Sequence, residues 1–402
     1  MFDIAIMGAG LAGLIAAKIA SDLGFSVALL EQKSQTDFLN FRDFRTLALN
    51  AQAIELFQIL DLWDIPDLKY QPILKMFLAY EQGFSNLELS HQEAQLPALA
   101  YHIENQDLLQ LLYKKLEPLE HQEQHKLTWY WEIQAQAFSQ SVSSHTLQTN
   151  LGPIQAKLWL ATDGSRSWLR QAFGIQAKTQ NYEQQAMVAK LQSTEPHQNT
   201  AYQKFFKDAS AMACLPCQNP NELALVFSGA PNFQKLEEDK NSDANNTRIL
   251  EFLNQACSGF FGLFYKIEKM QRYPLFNTLA ETNAKMPLLL IGDSAQQIHP
   301  MAGQGFNLAL AQLYEFYKNL NRILKQGYAE KSLNHPGLWR SFALKSSVRA
   351  KLWSQSMNAI RYANLNQDKI PLSVVNCLGS KVLSKVQRLK TGMINHANYL
   401  PF

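Results

Sequence analysis

The stretch FDIAIMGAGLAGLIAAKIASDLGFSVALLEQ, Phe2 to Gln32, decides how the rest of the chain is read. An apolar run, Phe2–Met7, enters the pattern Gly8-x-Gly10-x-x-Gly13. A helical run follows and stops near Gly24, and a second apolar run, Phe25 to Leu30, ends on Glu31. Glycines at these spacings meet three needs: a tight turn, close backbone approach to a pyrophosphate, and close packing of helix on strand. The helix N-terminus adds unpaired N–H groups and a favourable dipole. Glu31 stands 18 residues after Gly13, where a carboxylate grips a ribose diol and disfavours a 2′-phosphate. A lone glycine pattern is an ordinary turn in many chains. Between two strands and followed by this acid, it predicts a βαβ dinucleotide unit whose ligand is NAD or FAD.

The 402 residues are too many for one ordinary core, so two or three domains are expected. A composition 47% hydrophobic and 18% charged is that of a folded globular protein. The uncharged run Ile4 to Ala17 imitates a signal-peptide core. Asp3 precedes it, no basic segment does, and it is shorter than the ~18 residues of a membrane span. Four cysteines form no secreted disulfide framework, which points to a reducing, cytoplasmic setting. Net charge is +3, yet residues 331–402 carry 11 Lys/Arg against one acid, Asp368. That asymmetry suits an anionic membrane surface or an acidic partner, and nothing points to nucleic acid.

Two later segments separate NAD from FAD. In LWLATDGSRSWLRQAFGI a strand, Leu158 to Ala161, ends at Asp163-Gly164, with Ser167 and Arg170 following on a helix. In MPLLLIGDSAQQIHPMAGQGFNLAL a strand, Met286 to Ile291, ends at Asp293. A glycine loop then opens a helix with Leu313, Phe316, Leu320 and Ile323 at helical spacing and Gly327 as its stop. The three motifs in this order resemble the single-component flavoprotein aromatic hydroxylases. Finer blocks resemble the ubiquinone-biosynthesis branch acting on polyprenylphenols: RDFRTLALNAQAIELFQILDLWD (from Arg42), AYHIENQDLLQLL (from Ala100), YEQQAMVAKL (from Tyr182), QNTAYQKF (from Gln198), YPLFNTLA (from Tyr273) and GSKVLSKVQRLKTGM (from Gly379).

The resemblance implies an α/β fold: a Rossmann-like, three-layer ββα FAD-binding domain, an inserted mixed-sheet substrate domain and a helical C-terminus. The FAD domain is expected from residues 1–70, 98–180 and 275–330. The substrate domain is expected from 71–97 and 181–274, and a basic helical segment from 331–402. It further implies that Gly8, Gly10, Gly13 and Glu31 hold the ADP half of FAD, that Arg45 lies beside the pyrophosphate, and that Asn105 adds a contact. Asp163, Gly164 and Arg170 would serve FAD and the nicotinamide cofactor. Asp293 would bind the ribityl chain, with Pro300, Gly303, Gly305 and Asn307 in the loop bordering the flavin ring. The helix N-terminus behind that loop would stabilise the anionic reduced ring.

The implied reaction uses NAD(P)H and O2 to hydroxylate a polyprenylated phenol in ubiquinone biosynthesis through a flavin C4a-hydroperoxide. Partners would be that phenol, a ubiquinone-biosynthesis complex and the inner-membrane surface, reached by the basic C-terminus. The flavin carries the difficult chemistry, so no metal and no Ser/His/Asp arrangement is needed. His299 is the one titratable residue of the flavin loop and the candidate proton relay, against a structural role before Pro300. Two positions depart from the resemblance. Gln296 stands where many relatives have histidine, and Gln312 replaces an acid, which predicts weaker anchoring of the helix. Other readings are a flavin enzyme on a different aromatic and a non-catalytic FAD-binding scaffold.

Cys214 and Cys217, in CLPC, are expected to be packed thiols rather than half a zinc site, with Cys257 and Cys377 completing no metal spacing. The polar run from Glu237 to Asn246 is expected to be a loop before a helix starting near Thr247. In the tail, Val382, Val386 and Leu389 share one helical face, surrounded by Lys381, Lys385, Arg388 and Lys390.

Overall fold

The first strand, Phe2–Met7, lies inside a sheet whose core is parallel. The order is Leu127–Tyr130, Val27–Leu30, Phe2–Met7, Gly152–Ala161 and Leu288–Leu290, with Ala284–Lys285 as an antiparallel edge. The computed structural model describes residues 1–81, 86–121, 126–140, 145–229, 242–299, 303–326, 333–365, 391–392, 394–395 and 398. Register fixes what the parallel strands have in common. Met7 pairs with Leu30 and with Ala161, and Ala161 pairs with Leu290. The strands therefore end at one level, and the segments after Met7, Leu30, Ala161 and Leu290 emerge along a single crest. Ligands of open α/β sheets bind at that carboxyl edge.

Strand alternation supplies two apolar faces. Ile4, Ile6, Val27, Leu29, Leu158, Leu160 and Leu289 pack under the helices Leu11–Asp22, Asn105–Leu116 and Gly305–Lys325. Ala5, Ala28, Trp159, Leu288 and Leu290 face the antiparallel strands Ala135–Gln140 and His145–Thr149 and the short helix Trp168–Ala172. The expected three layers are present. So is the helix after the third motif, where Leu313, Phe316, Leu320 and Ile323 are fully buried.

A second sheet of eight strands runs Gln296–Gln297, Phe264–Ala280, Ala177–Ser193, Glu222–Gly229, Ala211–Pro216, Thr200–Phe205, Lys75–Tyr80 and Leu87–Ser90. Its strands Ala177–Ser193 and Phe264–Ala280 are each 17 residues long, and the segment limits near 180 and 274 fall inside them. A small third sheet joins Thr46–Leu49, Ala100–Glu104 and Gln71–Ile73.

One face of the second sheet buries Met187, Leu191, Met212, Leu223, Leu225 and Phe227 against Ile249 and Leu253 of the helix Ser242–Cys257. That helix begins five residues before Thr247. Ser242 to Asn246 are polar, but polarity reports exposure rather than backbone conformation, so part of the expected loop is helix. Cys214, Cys217 and Cys257 are buried free thiols. The thiol next to Cys214 is Cys257 on the helix, with which it hydrogen-bonds, and burial pushes Cys217 up to about 12. No group of three metal-ligating side chains occurs among the described residues, and Cys377 lies outside them.

The C-terminal helix Pro336–Leu365 stacks Trp339 on Phe316, 5.7 Å apart. Farther on, Ile394 is buried with Leu87, Leu89 and Leu99, and Asn398 accepts a hydrogen bond from the Ala51 N–H at 3.0 Å. The tail helix expected over Gly379 to Lys390 lies outside the described residues.

Candidate cofactor site

Each glycine of the first motif has its own steric reason. Gly8 has φ +98°, and a Cβ there would meet the Thr162 carbonyl oxygen at 2.8 Å. A Cβ on Gly13 would stand 1.9 Å from the Gly8 carbonyl oxygen. These two let helix and strand close on each other. Gly10 is different: nothing lies within 4 Å of the Cβ it lacks, and it opens the helix Leu11–Asp22 with no side-chain cap. The first N–H groups of that helix thus face open space, where a phosphate group fits. Glu31 is held at the rim, accepting from the Ala9 N–H at 2.9 Å and the Lys33 N–H at 3.0 Å.

Asp293 sits on the turn Gly292–Ser294 at the same crest. The turn is locked from behind. Ser294 Oγ donates to the Ala161 carbonyl at 2.6 Å, and the Gly292 N–H donates to Gln312 Oε1 at 2.8 Å. Gln312 and Gln296 exchange two amide hydrogen bonds of 3.0 Å each. The two departures from the resemblance are therefore partners, and the expected weaker anchoring of the helix is replaced by a closed, neutral network. Gln312→Leu strands the Gly292 N–H and the Gln296 amide in a buried setting. The expected cost is roughly 2 kcal/mol or more, seen as a Tm lower by roughly 2 °C or more. Adding Gln296→Leu should restore part of that loss, and equal, additive losses would show that the pair does not couple.

Arg45 faces Asp293 from the opposite wall, with 53% of its side chain exposed. Its Nε lies 3.0 Å from Asp43 Oδ1 and its Nη2 2.7 Å from Asp43 Oδ2, and its guanidinium lies 5.6 Å from the Tyr273 ring centre. Asp43 is buried and also accepts from Asn105 Nδ2. Burial drives the Asp43 carboxyl upward, but hydrogen bonds and charge from Arg45 and the bond from Asn105 hold it below its usual value. Asn105, expected as a cofactor contact, is thus a brace: it steadies Asp43, which orients Arg45. Asp43 itself went unrecognised in the sequence.

The Asp-Gly motif is likewise mostly architecture. Asp163 Oδ2 accepts from the Trp168 N–H at 2.7 Å and anchors the helix Trp168–Ala172, while its Oδ1 is buried without a hydrogen-bond partner. Gly164 has φ +82°, which favours glycine at this turn. Arg170, expected to meet the nicotinamide cofactor, is buried and committed. Its Nη1 donates to the Ser294 carbonyl and its Nη2 to the Ser165 carbonyl, both at 2.8 Å. It clamps the second motif to the turn that carries Asp293.

Asn307, expected at the flavin ring, bridges backbones instead. Its Nδ2 donates to the Ala48 carbonyl at 2.8 Å and its Oδ1 accepts from the Asn50 N–H at 3.2 Å. Gly303 has φ +62°, and Gly303 and Gly305 carry no atom within 4 Å of an added Cβ. Gln304, which precedes the helix, keeps a buried Oε1 without a partner. Pro300 lies outside the described residues.

His299 is buried, with Nε2 3.1 Å from Gln184 Oε1 and the ring edge-on to Tyr182. Burial, assisted by the charge of Arg361, pushes its pKa down to about 4. Hydrogen-bonded to Gln184 and packed edge-on to Tyr182, His299 has the structural role that the sequence offered as the alternative to a proton relay. His102, buried beside Glu104 and Lys190, is also pushed down to about 4 by burial. Both values fall below the ordinary 6.5, so each histidine adds stability that is complete above pH 6.5 and lost as pH falls toward about 4. The loss should reach about 3 kcal/mol per histidine. His299→Gln should flatten the fall of Tm with acidification, and an unchanged profile would contradict the assignment.

The second sheet turns its other face toward Arg45. Cross-strand register sets Leu78, Gln203, Ala213, Val226, Val188 and Gln271 in one row and Tyr80, Phe205, Ala211, Ser228, Ala186 and Tyr273 in the next. Ala213, Leu215 and Val226 remain partly exposed on that face. Lys190 ties it to the FAD layer, 2.5 Å from Glu104 and 3.1 Å from Glu222. These carboxylates raise its pKa against the opposing effect of burial. Tyr80, Phe205 and Ala211 of the second row pack against Trp353 and Met357 of the helix Pro336–Leu365, Tyr273 meets Arg45, and Ala213, Leu215 and Val226 stay partly open. Spacing gave no sign of this face, because each row is assembled from six strands.

Residues 1–334 match the family model described as FAD binding domain. The chain is 25% identical over 411 residues to the 3-demethoxyubiquinol 3-hydroxylase of Escherichia coli (strain K12), covering 98% of each chain. It is 24% identical over 388 residues to the human mitochondrial ubiquinone biosynthesis monooxygenase COQ6, covering 83% of this chain and 80% of that protein. Among solved structures, the p-nitrophenol 4-monooxygenase PnpA of Pseudomonas putida DLL-E4 superposes with a TM-score of 0.73 at 15% identity, covering 98% of each chain. At that identity the likeness speaks for the fold.

Proposed function

We propose, from the premise that this chain belongs to the FAD binding domain family as a flavoprotein monooxygenase, that it hydroxylates the aromatic ring of a polyprenylated phenol in ubiquinone biosynthesis. The observation that carries the cofactor reading is the crest. In-register strand ends bring the glycine turn, Glu31, Asp163 and Asp293 to one edge, with unfilled space at Gly10. The named functions of the relatives support the substrate class.

When bound, FAD would take electrons from NAD(P)H and activate O2 for transfer of one oxygen atom to the ring. The chain's own residues bind and orient. The helix opened by Gly10 would hold the pyrophosphate, Glu31 the ribose and Asp293 the ribityl hydroxyls. Arg45, aimed by Asp43, would supply positive charge near the phosphates. The N-terminus of the helix Gly305–Lys325 would favour negative charge on the reduced ring. Ala213, Leu215 and Val226 would bed the phenol and exclude water. The enzyme would work in the cytoplasm, peripheral to the inner membrane and within a biosynthetic complex.

The test is the flavin content of the purified protein, followed by NAD(P)H oxidation with prenylated and with soluble phenols. Near-stoichiometric FAD with hydroxylated product from the prenylated phenol supports the reading. Turnover of soluble phenols alone would move the substrate to another aromatic, and FAD without turnover of either would leave a scaffold.

A further inference from the structure

The helix Pro336–Leu365 has a face that the fold does not use. Inward, it buries Trp339, Phe342, Ala350 and Met357, and Trp339 Nε1 donates to the Leu333 carbonyl at 2.7 Å. Outward, Leu344, Val348 and Leu352 follow one another at four-residue intervals, which sets them in one stripe. They are 64%, 37% and 45% exposed, and Tyr362 farther along is 59% exposed. Isolated exposed leucines are unremarkable, whereas three in register are a surface.

The charges around the stripe have one sign. At 3.6 residues per turn, Arg340 and Lys351 flank it on one side and Lys345 on the other, each about 60–80° from Val348. The helix contains no Asp or Glu. Among the described residues, Glu315 on the neighbouring helix is buried and engages Lys318, Lys345 and the buried Arg349. Arg340 and Lys351 are exposed, so the outward face stays positive.

We propose that this face docks the protein on an anionic membrane surface, with the aliphatic stripe at the acyl boundary and Arg340 and Lys351 among the headgroups. An aliphatic stripe rimmed by cations is the pattern of an interfacial helix. A second copy of the chain fits less well, because a two-fold contact through this face would bring like charges together. No helix among the described residues is long and apolar enough to cross a bilayer. The inference stands on exposure and charge. The lipid-tailed substrate proposed above gives it a purpose, and docking survives if that substrate is wrong.

The experiment is flotation of the full-length protein with vesicles of phosphatidylcholine, with and without phosphatidylglycerol. The wild type should float with the anionic vesicles only and release in high salt. Leu344→Ser/Val348→Ser/Leu352→Ser should weaken binding about tenfold or more. Arg340→Gln/Lys351→Gln should weaken it and reduce its salt dependence. Turnover of a soluble phenol by both variants should match the wild type, which separates docking from catalysis. The proposal would be overturned by no flotation of the wild type, by undiminished flotation of the stripe variant, or by a stripe variant that only converts a dimer to a monomer in light scattering. Loss of flotation on neutralising Lys381, Lys385, Arg388 and Lys390, with the stripe variant unaffected, would overturn it in favour of the tail.

Discussion

Gly13→Ala should yield a protein without bound flavin. The new Cβ would stand 1.9 Å from the Gly8 carbonyl oxygen and 2.8 Å from Thr162 Oγ1. The obstacle is backbone, and that backbone is the turn itself. Thr162 Oγ1 holds it by donating to the Met7 and Gly8 carbonyls at 2.8 Å each. Helix and turn must separate, at the upper end of the ~1–3 kcal/mol typical of overpacking. FAD binding should weaken with that separation, because the helix N-terminus and the turn no longer meet the pyrophosphate together. Gly10→Ala isolates the ligand from the fold. Its Cβ meets nothing within 4 Å, so Tm without flavin should match the wild type. FAD should nevertheless be lost, because the methyl group enters the space assigned to the pyrophosphate. Flavin absorbance per chain and Tm, read side by side, separate the two. Full FAD occupancy in Gly10→Ala would place the pyrophosphate elsewhere.

The contrast shows what a sequence carries. Gly8, Gly10, Gly13 and Glu31 were legible because their geometry is local: one turn, one helix start and one strand end. Asp293 was legible for the same reason, as an acid closing an apolar strand. The residues that aim and lock the site were hidden by distance along the chain. Asn105 meets Asp43 across 62 positions, and Arg170 meets the Ser294 carbonyl across 124. Periodicity and spacing say nothing about such meetings. Asn105, Arg170 and Asn307 were expected at the cofactor, and the structure adds scaffold hydrogen bonds that spacing could not show. Gln296 and Gln312 were read as two separate departures, and the structure joins them through two reciprocal amide hydrogen bonds. The helix at Ser242 failed differently, since a polar composition was taken for a loop and composition does not fix backbone conformation.

Asp293 carries the sharpest expectation about how this site trades stability for binding. Asp293 is an exposed residue between the buried Gly292 and Ser294, with protein packed around its carboxylate. That loss of hydration pushes its pKa up, with Arg45 pulling in the opposite direction. A carboxyl raised above its unfolded value opposes folding when ionised, and the penalty disappears as pH falls through the raised value. Asp293→Asn removes the charge and keeps the shape. Without FAD, the variant should therefore melt slightly higher than the wild type near pH 7, since water at this exposed residue offsets most of the penalty, with the gain shrinking on acidification. With FAD the order should reverse. An amide accepts hydroxyl hydrogen bonds less strongly than a carboxylate, so affinity should fall by about 10- to 100-fold. The FAD-induced rise in Tm should be correspondingly smaller. Titration of the stripped proteins with FAD, followed by flavin fluorescence, measures the affinity. A variant that binds FAD as the wild type does would remove Asp293 from the ribityl assignment. One that melts lower without FAD would mean that the carboxylate supports the turn rather than burdening it.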